Sequence, residues 1–236
     1  DINDVRGSGP GGRVMKEDIL KHHQQDKTVS AAAVMITENE IEEIPLTQIR
    51  KTIAQKMIES KHNAAHMTVL EEVEISRLVE LRKKHKEDFL EDGFKLTFLP
   101  FIIKATVQAL KQFPSLNSQM DMDNNRMIFK KYYNIGFAVD TEDGLVVPVI
   151  RNVDKLSIYE IAKQIDEISK RARDRKLTIE DYKDGTFTVT NYGSIGGVFG
   201  VPVINYPQAG ILGVGRILKT PVVNDRDEIV VGNVLP

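Results

Sequence analysis

The chain contains 236 residues, of which 41% are hydrophobic and 28% are charged. This composition is typical of a globular protein and excludes a collagen-like, disordered or coiled-coil chain. The 32 basic residues nearly balance the 34 acidic residues, so no strong overall field favours nucleic acid as a partner. Cysteine is absent, which excludes disulfides, thiolate metal sites and a cysteine nucleophile.

The apolar segments and the first residues bear on the location of the protein. The most apolar stretch, residues 96–110, contains Pro100 and Lys104 and is shorter than the roughly 18 residues that suggest a membrane span. The first residues have neither the basic region nor the apolar region of a secretory leader. The sequence therefore predicts a cytoplasmic protein without a membrane segment. The start at Asp1, without an initiator Met, suggests that these residues belong to a longer chain.

Composition divides the chain into three segments. Residues 1–24 combine a Gly-rich turn at 7–12 with helical character over 13–21, but so short a segment buries too little surface to fold alone. Residues 25–41 mix small, polar and charged types without a sustained period, which predicts a flexible linker. The main domain is predicted to occupy residues 42–236.

The first half of the main domain predicts helices around one strand. Thr47 is a possible helix cap, and apolar residues at helical spacing follow it to about residue 61. Alternating apolar residues over 66–75 predict a half-buried strand. Gly93 is a suitable left-handed cap for the helix before it. Two further helices are expected, one lined by Leu78, Leu81, His85 and Phe89, and one from Thr97 to Phe113 with Pro100 in its first turn.

The second half of the main domain mixes strands with one long helix. The polar turn 140–144 between two apolar segments predicts a hairpin. Ser157 and Glu160 match a capping box in front of an amphipathic helix. Because helices and strands intermix without regular alternation, the predicted fold class is α/β, a mixed sheet with packed helices. Strands are predicted over 126–131, 134–139, 145–150, 186–190, 210–218 and 228–232.

Two short motifs suggest ligands only weakly. The turn 7–12 has the glycine spacing of a dinucleotide-binding loop, yet no strand precedes it and a proline lies inside it, so a structural turn is favoured. His62 and His66 have the i, i+4 spacing of a zinc pair, but no Glu follows His62 and the predicted helix ends there. No metal site is predicted.

The segment FTVTNYGSIGG, residues 187–197, is the strongest local candidate for a site. It places the hydroxyl of Thr190 at the end of an apolar strand, directly before a glycine-rich bend whose backbone can approach a ligand closely. The residues alone favour the commoner explanation, an ordinary junction of strand and loop. Asp140 alone indicates a polar hairpin turn, and Arg82 alone indicates a solvated helix face.

Several longer motifs, in order, resemble one family, the dihydrolipoamide acyltransferases, which are the E2 components of 2-oxo acid dehydrogenase complexes. The resemblance covers about residues 43–236, the part that corresponds to the catalytic domain. It rests on IPLTQIRKTIAQKM, KLTFLPFIIKA, NIGFAVDTEDGLVVPVIRNVDKLSI, FTVTNYGSIGG and PVINYPQAGILGVGRI. Upstream, the chain resembles the second half of the family's small helical subunit-binding module, which docks the E1 or E3 component, in DINDVRGSGPGGRVMKEDIL.

The resemblance implies a fold, an assembly and a reaction. The fold is a two-layer α/β structure like that of chloramphenicol acetyltransferase, and the assembly is a homotrimer that builds a hollow core of 24 or 60 subunits. The reaction is transfer of an acyl group between dihydrolipoyl-lysine and coenzyme A at a site between neighbouring subunits, with the lipoyl group carried on a domain outside these residues. Acetyl is the expected group, as in pyruvate dehydrogenase complexes. Branched-chain acyl, succinyl and acetoin-derived acetyl groups are the alternatives.

The resemblance also implies roles for particular residues. Thr190 falls on the family's oxyanion-stabilising hydroxyl, and Asp140 falls on an Asp of the channel near the catalytic centre. Arg82 matches a basic residue associated with the phosphate region of coenzyme A, which suits the forked donors of a guanidinium. The backbone of the bend at Gly196 and Gly197 is expected to contact the cofactor.

The family's catalytic base, a histidine in a DHR-type motif, has no counterpart among the five histidines of the sequence. The resemblance implies that this motif lies beyond Pro236 in a parent protein, so no base is assigned. The first half of the subunit-binding module and a lipoyl domain are likewise expected before Asp1. The 236 residues alone are therefore expected to be inactive, and an assembly scaffold without catalysis is the alternative function for them.

Overall fold

A computed structural model describes residues 8–18 and 41–236. Contacts divide the chain into two compact units, Asp1–Pro45 and Leu46–Pro236. The end of the helix predicted over 13–21 and nearly all of the predicted linker lie outside the described residues. The boundaries predicted at residues 24 and 41 therefore stay predictions.

The described part of the first unit is a turn followed by helical residues 16–18. The turn contains a short 3-10 segment, Pro10–Gly12, in which Gly11 has a φ of 74°. Oδ2 of Asp18 accepts hydrogen bonds from the backbone nitrogens of Ser8 and Met15, both at 2.9 Å. The glycine-rich segment is thus a turn that hydrogen bonds to the Asp18 carboxylate hold in place.

The second unit contains four long α-helices and eleven strands within the described residues. The helices are α1 (Gln48–Asn63), α2 (Ser76–Glu91), α3 (Leu99–Gln112) and α4 (Ile158–Arg173). The strands are β1 (Val73–Glu74), β2 (Ser118–Asp121), β3 (Arg126–Phe129), β4 (Ile135–Phe137), β5 (Val139–Thr141), β6 (Gly144–Val146), β7 (Val149–Ile150), β8 (Phe187–Asn191), β9 (Ile211–Val214), β10 (Leu218–Val223) and β11 (Ile229–Leu235). None of the helices in the described ranges is long and apolar enough to span a membrane.

The central sheet is mixed, as the sequence predicts. Its four strands have the order β7-β4-β8-β9. β4 pairs antiparallel with β7 and parallel with β8, and β8 pairs parallel with β9. A second sheet joins β1, β11 and β10, while β2 with β3 and β5 with β6 form two-stranded ribbons. β9 is therefore an edge strand next to the strand that carries Thr190.

The core lies between the central sheet and the helices α3 and α4. Phe137 of β4 and Val189 of β8 are paired in register, and both are almost fully buried. Against them pack Ile103 of α3 and Ile161 of α4, neither of which is exposed to solvent. This arrangement confirms the two-layer α/β class, because one layer of helices covers one face of the sheet.

The predicted capping box at the start of α4 is confirmed. The hydroxyl of Ser157 accepts from the backbone nitrogen of Glu160 at 3.2 Å, and the backbone nitrogen of Ser157 donates to Glu160 Oε2 at 2.7 Å. The backbone nitrogen and the hydroxyl of Ser157 both donate to the Glu160 carboxylate, which favours its charged form and lowers the pKa of Glu160. Two backbone donors at this helix end are thus satisfied locally.

The strand predicted over 66–75 is wrong for most of its length. Only Val73–Glu74 forms a strand, β1, and it pairs with β11. The residues before it have no regular structure, and Met67 and Val69 are 86% and 67% exposed. Alternation of apolar residues favours an extended backbone, but a strand also needs a neighbour with free backbone groups. Within the described chain β11 supplies that neighbour only at Val73 and Glu74.

The predicted inner face of α2 is wrong at one position. Leu81 is 44% exposed, whereas Arg82 is half-buried. Phe89, about two turns further along the helix, is half-buried on the same side as Arg82. Arg82 therefore lies on the packed face of α2 and not on a solvated face.

The predicted hairpin is present but tighter than expected. Asp140 pairs with Leu145, and Thr141 pairs with Gly144. Asp140 therefore belongs to β5 and not to the turn. The strands predicted over 134–139 and 145–150 are each divided in two, because β4 and β7 join the central sheet while β5 and β6 pair only with each other.

Two other boundaries differ. α3 begins at Leu99 and not at Thr97, although Pro100 lies in its first turn as expected. The strand predicted over 210–218 is divided into β9 and β10. Such shifts are normal, since the ends of elements depend on tertiary contacts that a local pattern does not contain.

Candidate active site

Thr190 lies where β8 leaves the core. It is half-buried, and the next residue, Asn191, is exposed. Nearby hydroxyl groups are already bound: Thr188 Oγ1 donates to Gln208 Oε1 at 2.6 Å, and Ser194 Oγ donates to the Asn191 carbonyl at 2.8 Å. Within the part of the chain that the structure describes, the Thr190 hydroxyl has no hydrogen-bond partner. It is therefore available to a bound molecule.

The bend after β8 needs glycine at three positions for three different reasons. A Cβ on Gly193 would lie 2.3 Å from the backbone oxygen of Gly215, so two chain segments touch there. Gly196 has a φ of 92°, a conformation that other residues adopt at a cost. A Cβ on Gly197 would lie 3.0 Å from the ring of Tyr192. The bend is therefore a closely packed feature and not a loose loop.

Two cavities flank the end of β8. The larger has a volume of about 660 Å³ and is lined by the segment 65–71, by β9 and by several residues of 199–204. The smaller has a volume of about 270 Å³ and is lined by residues of the bend and by the start of α3. They share the wall residues Ile102, Val214 and Leu235.

Thr190 lines neither cavity itself, but its neighbours line both. Gly213, which pairs with Thr190 in the sheet, lines the larger cavity. Asn191, which follows Thr190 in the chain, lines the smaller one. Two ligands that occupy the two cavities would therefore each contact a neighbour of Thr190.

Arg82 reaches the wall of the smaller cavity through Phe98. Its Nε donates to the carbonyl of Leu96 at 2.8 Å, and its guanidinium carbon lies 5.0 Å from the centre of the Phe98 ring. Phe98 in turn lines the smaller cavity together with Arg216. The fold thus brings the predicted Arg82, by way of an aromatic ring, to the same cavity as the glycine bend. It also places there a second cation that the sequence analysis did not single out.

Asp140 lies outside both cavities as the described chain lines them. It is exposed on β5, in a hairpin whose turn is held by Arg175. The Nε of Arg175 lies 2.6 Å from Asp143 Oδ2, and Arg175 also faces Glu142 at 3.6 Å. The backbone nitrogen of Ala138, two residues before Asp140, donates to the Val189 carbonyl at 3.1 Å, so Asp140 follows the strand that lies beside β8. Its role in a channel stays a prediction.

His66 and Ser60 hold one wall of the larger cavity. The backbone nitrogen of Ile204 donates to His66 Nε2 at 3.1 Å, and the Ser60 hydroxyl donates to the Ile204 carbonyl at 2.5 Å. Since Nε2 accepts, the proton of the neutral ring is on Nδ1, which donates to the Ala64 carbonyl at 2.8 Å. Both nitrogens of His66 are thus used. The described residues contain no group of three potential metal ligands.

We expect His66→Ala to lower the free energy of unfolding by about 1–3 kcal/mol, because the Ile204 nitrogen is left without its acceptor. The measurement is unfolding by urea, followed by circular dichroism. His62→Ala is the matched control, since His62 is exposed on the same segment. It should change stability by less than about 0.5 kcal/mol. Equal losses in the two variants would contradict the contact.

Comparison with known proteins identifies the class to which this fold and site belong. Residues 38–236 match the family of 2-oxoacid dehydrogenases acyltransferase (catalytic domain), and residues 1–20 match the E3 binding domain. The chain belongs to this acyltransferase family. The resemblance found in the sequence is thereby confirmed.

The individual relatives are consistent with one another. The dihydrolipoyllysine-residue acetyltransferase component of the pyruvate dehydrogenase complex of Staphylococcus epidermidis is 41% identical, over 99% of this chain and 58% of that protein. The chain thus spans somewhat over half the length of this curated relative. A probable dihydrolipoamide acetyltransferase from Listeria monocytogenes has 42% identity and a TM-score of 0.80, over 84% of this chain and 83% of that one. The cubic core of a pyruvate dehydrogenase multienzyme complex has 38% identity and a TM-score of 0.80, over 83% and 80%.

Three contributions to the site were not predicted from the sequence: the His66 and Ser60 contacts, the cation Arg216 and the ring of Tyr192. His66 and Ser60 bind a residue more than a hundred positions away, and no local pattern reports such a contact. Tyr192 did have a signal, since it stands among several glycines in FTVTNYGSIGG. Glycines around a large ring are typical of positions where backbone must touch a side chain.

Proposed function

We propose that the full protein transfers an acetyl group between dihydrolipoyl-lysine and coenzyme A as the E2 core of a pyruvate dehydrogenase complex. The match of residues 38–236 to an acyltransferase catalytic domain carries this proposal. Relatives named as acetyltransferase components of that complex support acetyl as the group. Coenzyme A and the lipoyl group enter as substrates, and no metal is required.

The reaction needs a proton acceptor and an oxyanion donor. One thiol gives its proton to a base and forms a C–S bond to the thioester carbon, whose oxygen becomes negative. The tetrahedral species then breaks its other C–S bond and releases the second thiol with a proton. A thiol with a pKa of about 8.5 is mostly protonated at neutral pH, so a base is needed. The described residues supply the donor, Thr190, and no base is assigned among them.

The geometry around Thr190 supports this reaction. Its hydroxyl is unpartnered in the described chain, and its neighbours Gly213 and Asn191 line two different cavities. Two substrates whose sulfur atoms exchange one acyl group need two such adjoining spaces. A fixed donor at that point stabilises the developing negative charge without reorganisation.

The remaining site residues act on binding in this proposal. Arg82 faces the phosphate region of coenzyme A, and the backbone at Gly196 and Gly197 borders the same substrate. Asp140 lies in the substrate channel, which is completed by a neighbouring subunit. A site formed between subunits can include Asp140 although this residue lines neither cavity of one chain.

Assembly and location follow from the same family. Residues 1–24 are the end of the module that docks E1 or E3, residues 25–41 are a linker, and residues 42–236 are catalytic. The match to the E3 binding domain supports the first of these assignments. The protein forms homotrimers that build a larger core of 24 or 60 subunits in the cytoplasm. A related structure described as a cubic core supports this kind of assembly.

The test is an acyl-transfer assay on the full-length protein with dihydrolipoamide and three donors: acetyl-, isobutyryl- and succinyl-coenzyme A. We expect release of coenzyme A with acetyl-coenzyme A at a rate well above the other two. A faster reaction with isobutyryl- or succinyl-coenzyme A would assign the protein to another 2-oxo acid complex. No transfer from any donor by a correctly assembled core would favour the scaffold instead.

A further inference from the structure

The ring of Tyr192 fills a space that three glycines leave open. A Cβ on Gly197 would lie 3.0 Å from ring atom Cδ2. On the opposite side of the ring, a Cβ on Gly200 would lie 3.1 Å from Cε1, and one on Gly213 would lie 2.8 Å from it. The contact at Gly213 is too short for a real Cβ, and those at Gly197 and Gly200 would require the ring to move by a few tenths of an ångström. The ring is therefore closely packed on two sides against backbone segments that carry no Cβ.

One of these glycines lies beside Thr190. Gly213 of β9 pairs with Thr190 of β8 in a parallel ladder, and paired residues of adjacent strands project to the same face of a sheet. Because a Cβ on Gly213 would meet the ring, Tyr192 lies over the face to which the Thr190 side chain points. The ring thus borders the space in front of the hydroxyl.

Backbone hydrogen bonds connect Tyr192 to the rest of the bend. Its carbonyl accepts from the nitrogen of Gly197 at 3.1 Å, and the carbonyl of Gly197 accepts from the nitrogen of Arg216 at 2.8 Å. The end of β8 is thereby tied to the segment after β9. A shift of the Tyr192 ring would move these hydrogen-bonded segments. Because Thr190 is only two residues before Tyr192 in the chain, its side chain would move with them.

We propose that Tyr192 is a positioning residue that aims the Thr190 hydroxyl. Its ring, wedged among Gly197, Gly200 and Gly213, sets the separation between the end of β8 and the bend. The inference rests on the proposed acyl transfer, because it assigns a role within that reaction. A misplacement of about 1 Å in a catalytic group can reduce a rate by about 100-fold, so a packing contact of this kind acts on turnover.

The experiment is a double-mutant cycle of Tyr192→Leu and Thr190→Val in the full-length protein, with kcat and both KM values measured by acetyl transfer. We expect Tyr192→Leu to lower kcat by about tenfold or more, while the KM for coenzyme A changes by less than about threefold. Tyr192→Phe keeps the ring and should restore most of the rate. In the Tyr192→Leu background the Thr190 hydroxyl is already misaligned, so adding Thr190→Val should lower kcat only slightly further. In the wild-type background Thr190→Val should lower kcat by roughly 10²- to 10³-fold.

Several outcomes would overturn the inference. One is a double variant whose loss of kcat equals the product of the two single losses. Another is a wild-type kcat in Tyr192→Leu. A third is a loss of kcat in Tyr192→Phe as large as that in Tyr192→Leu, which would assign the effect to the tyrosine hydroxyl. If Thr190→Val alone leaves kcat unchanged, the oxyanion role in the proposed function fails, and this result is separate from a failure of the cycle.

A second variant keeps the test decisive if Tyr192→Leu does not assemble. Gly213→Ala retains the ring but pushes it, because the added methyl group would lie 2.8 Å from Cε1. Gly213→Ala should lower kcat with little change in the KM for coenzyme A, and an unchanged kcat would overturn the inference. Tyr182→Leu is the matched control, since Tyr182 is exposed in another 3-10 turn and lines neither cavity. It should behave as the wild type.

Discussion

Replacement of Thr190 by Ala is expected to lower kcat for acetyl transfer by roughly 10²- to 10³-fold, the loss typical of one oxyanion donor. The KM values should change little, because the negative charge on the thioester oxygen develops only as the thiol attacks. The measurement is steady-state transfer by the full-length protein with dihydrolipoamide and acetyl-coenzyme A.

Two further substitutions separate the hydroxyl of Thr190 from its shape. Thr190→Ser keeps the donor and should retain most of the rate, whereas Thr190→Val keeps the branched shape and should behave like Thr190→Ala. A good Val variant and a poor Ser variant would assign the effect to packing and remove Thr190 from the chemistry. Each variant must assemble normally, since a site formed between subunits also fails when the trimer does.

Thr188 offers a matched control on the same strand. Its hydroxyl is bound to Gln208 at 2.6 Å, so Thr188→Val removes an equivalent group that is already committed within the protein. This variant should lose stability by about 1 kcal/mol and leave kcat near the wild-type value. A loss of turnover as large as that of Thr190→Val would mean that strand β8 is generally sensitive to such changes.

Those features of the fold that depend on short segments could be predicted from the sequence. The capping box at Ser157 and Glu160 is a local arrangement, and its two hydrogen bonds are present. The hairpin around Gly144 is also local, and it forms at the expected place. Thr190 at the strand end could be predicted for the same reason, because an apolar run followed by glycines fixes where a strand must stop.

The remaining features depend on partners that are distant in sequence. The side chains of Met67 and Val69 alternate like those of a strand, yet the described chain provides no neighbour to pair with them. Arg82 lies on the packed side of α2 because Leu96 and Phe98 meet it there. Nothing in the periodicity of a single helix indicates that a charged residue has a carbonyl and a ring to contact.

The second large effect is expected at Arg82, from its proposed contact with the phosphate region of coenzyme A. Arg82→Ala should raise the KM for coenzyme A by roughly ten- to more than a hundredfold, since a charge-assisted hydrogen bond to phosphate is worth about 1.5–3 kcal/mol. The KM for dihydrolipoamide and kcat should stay nearly unchanged, because a phosphate contact far from the thiol is present in ground state and transition state alike.

The contacts of Arg82 within the protein supply a second explanation for such an effect, and the experiment must separate it from phosphate binding. Nε of Arg82 is bound to Leu96 and its guanidinium stacks on Phe98, so Arg82→Ala also removes packing. Arg82→Met keeps most of the apolar stem but no charge, and Arg77→Ala removes an exposed charge from the same helix. A phosphate contact predicts that Arg82→Met raises the KM for coenzyme A as strongly as Arg82→Ala does, while Arg77→Ala does not. If Arg82→Met is close to wild type, or if both substrates are affected equally, Arg82 supports the cavity wall through Phe98 and does not bind the phosphate.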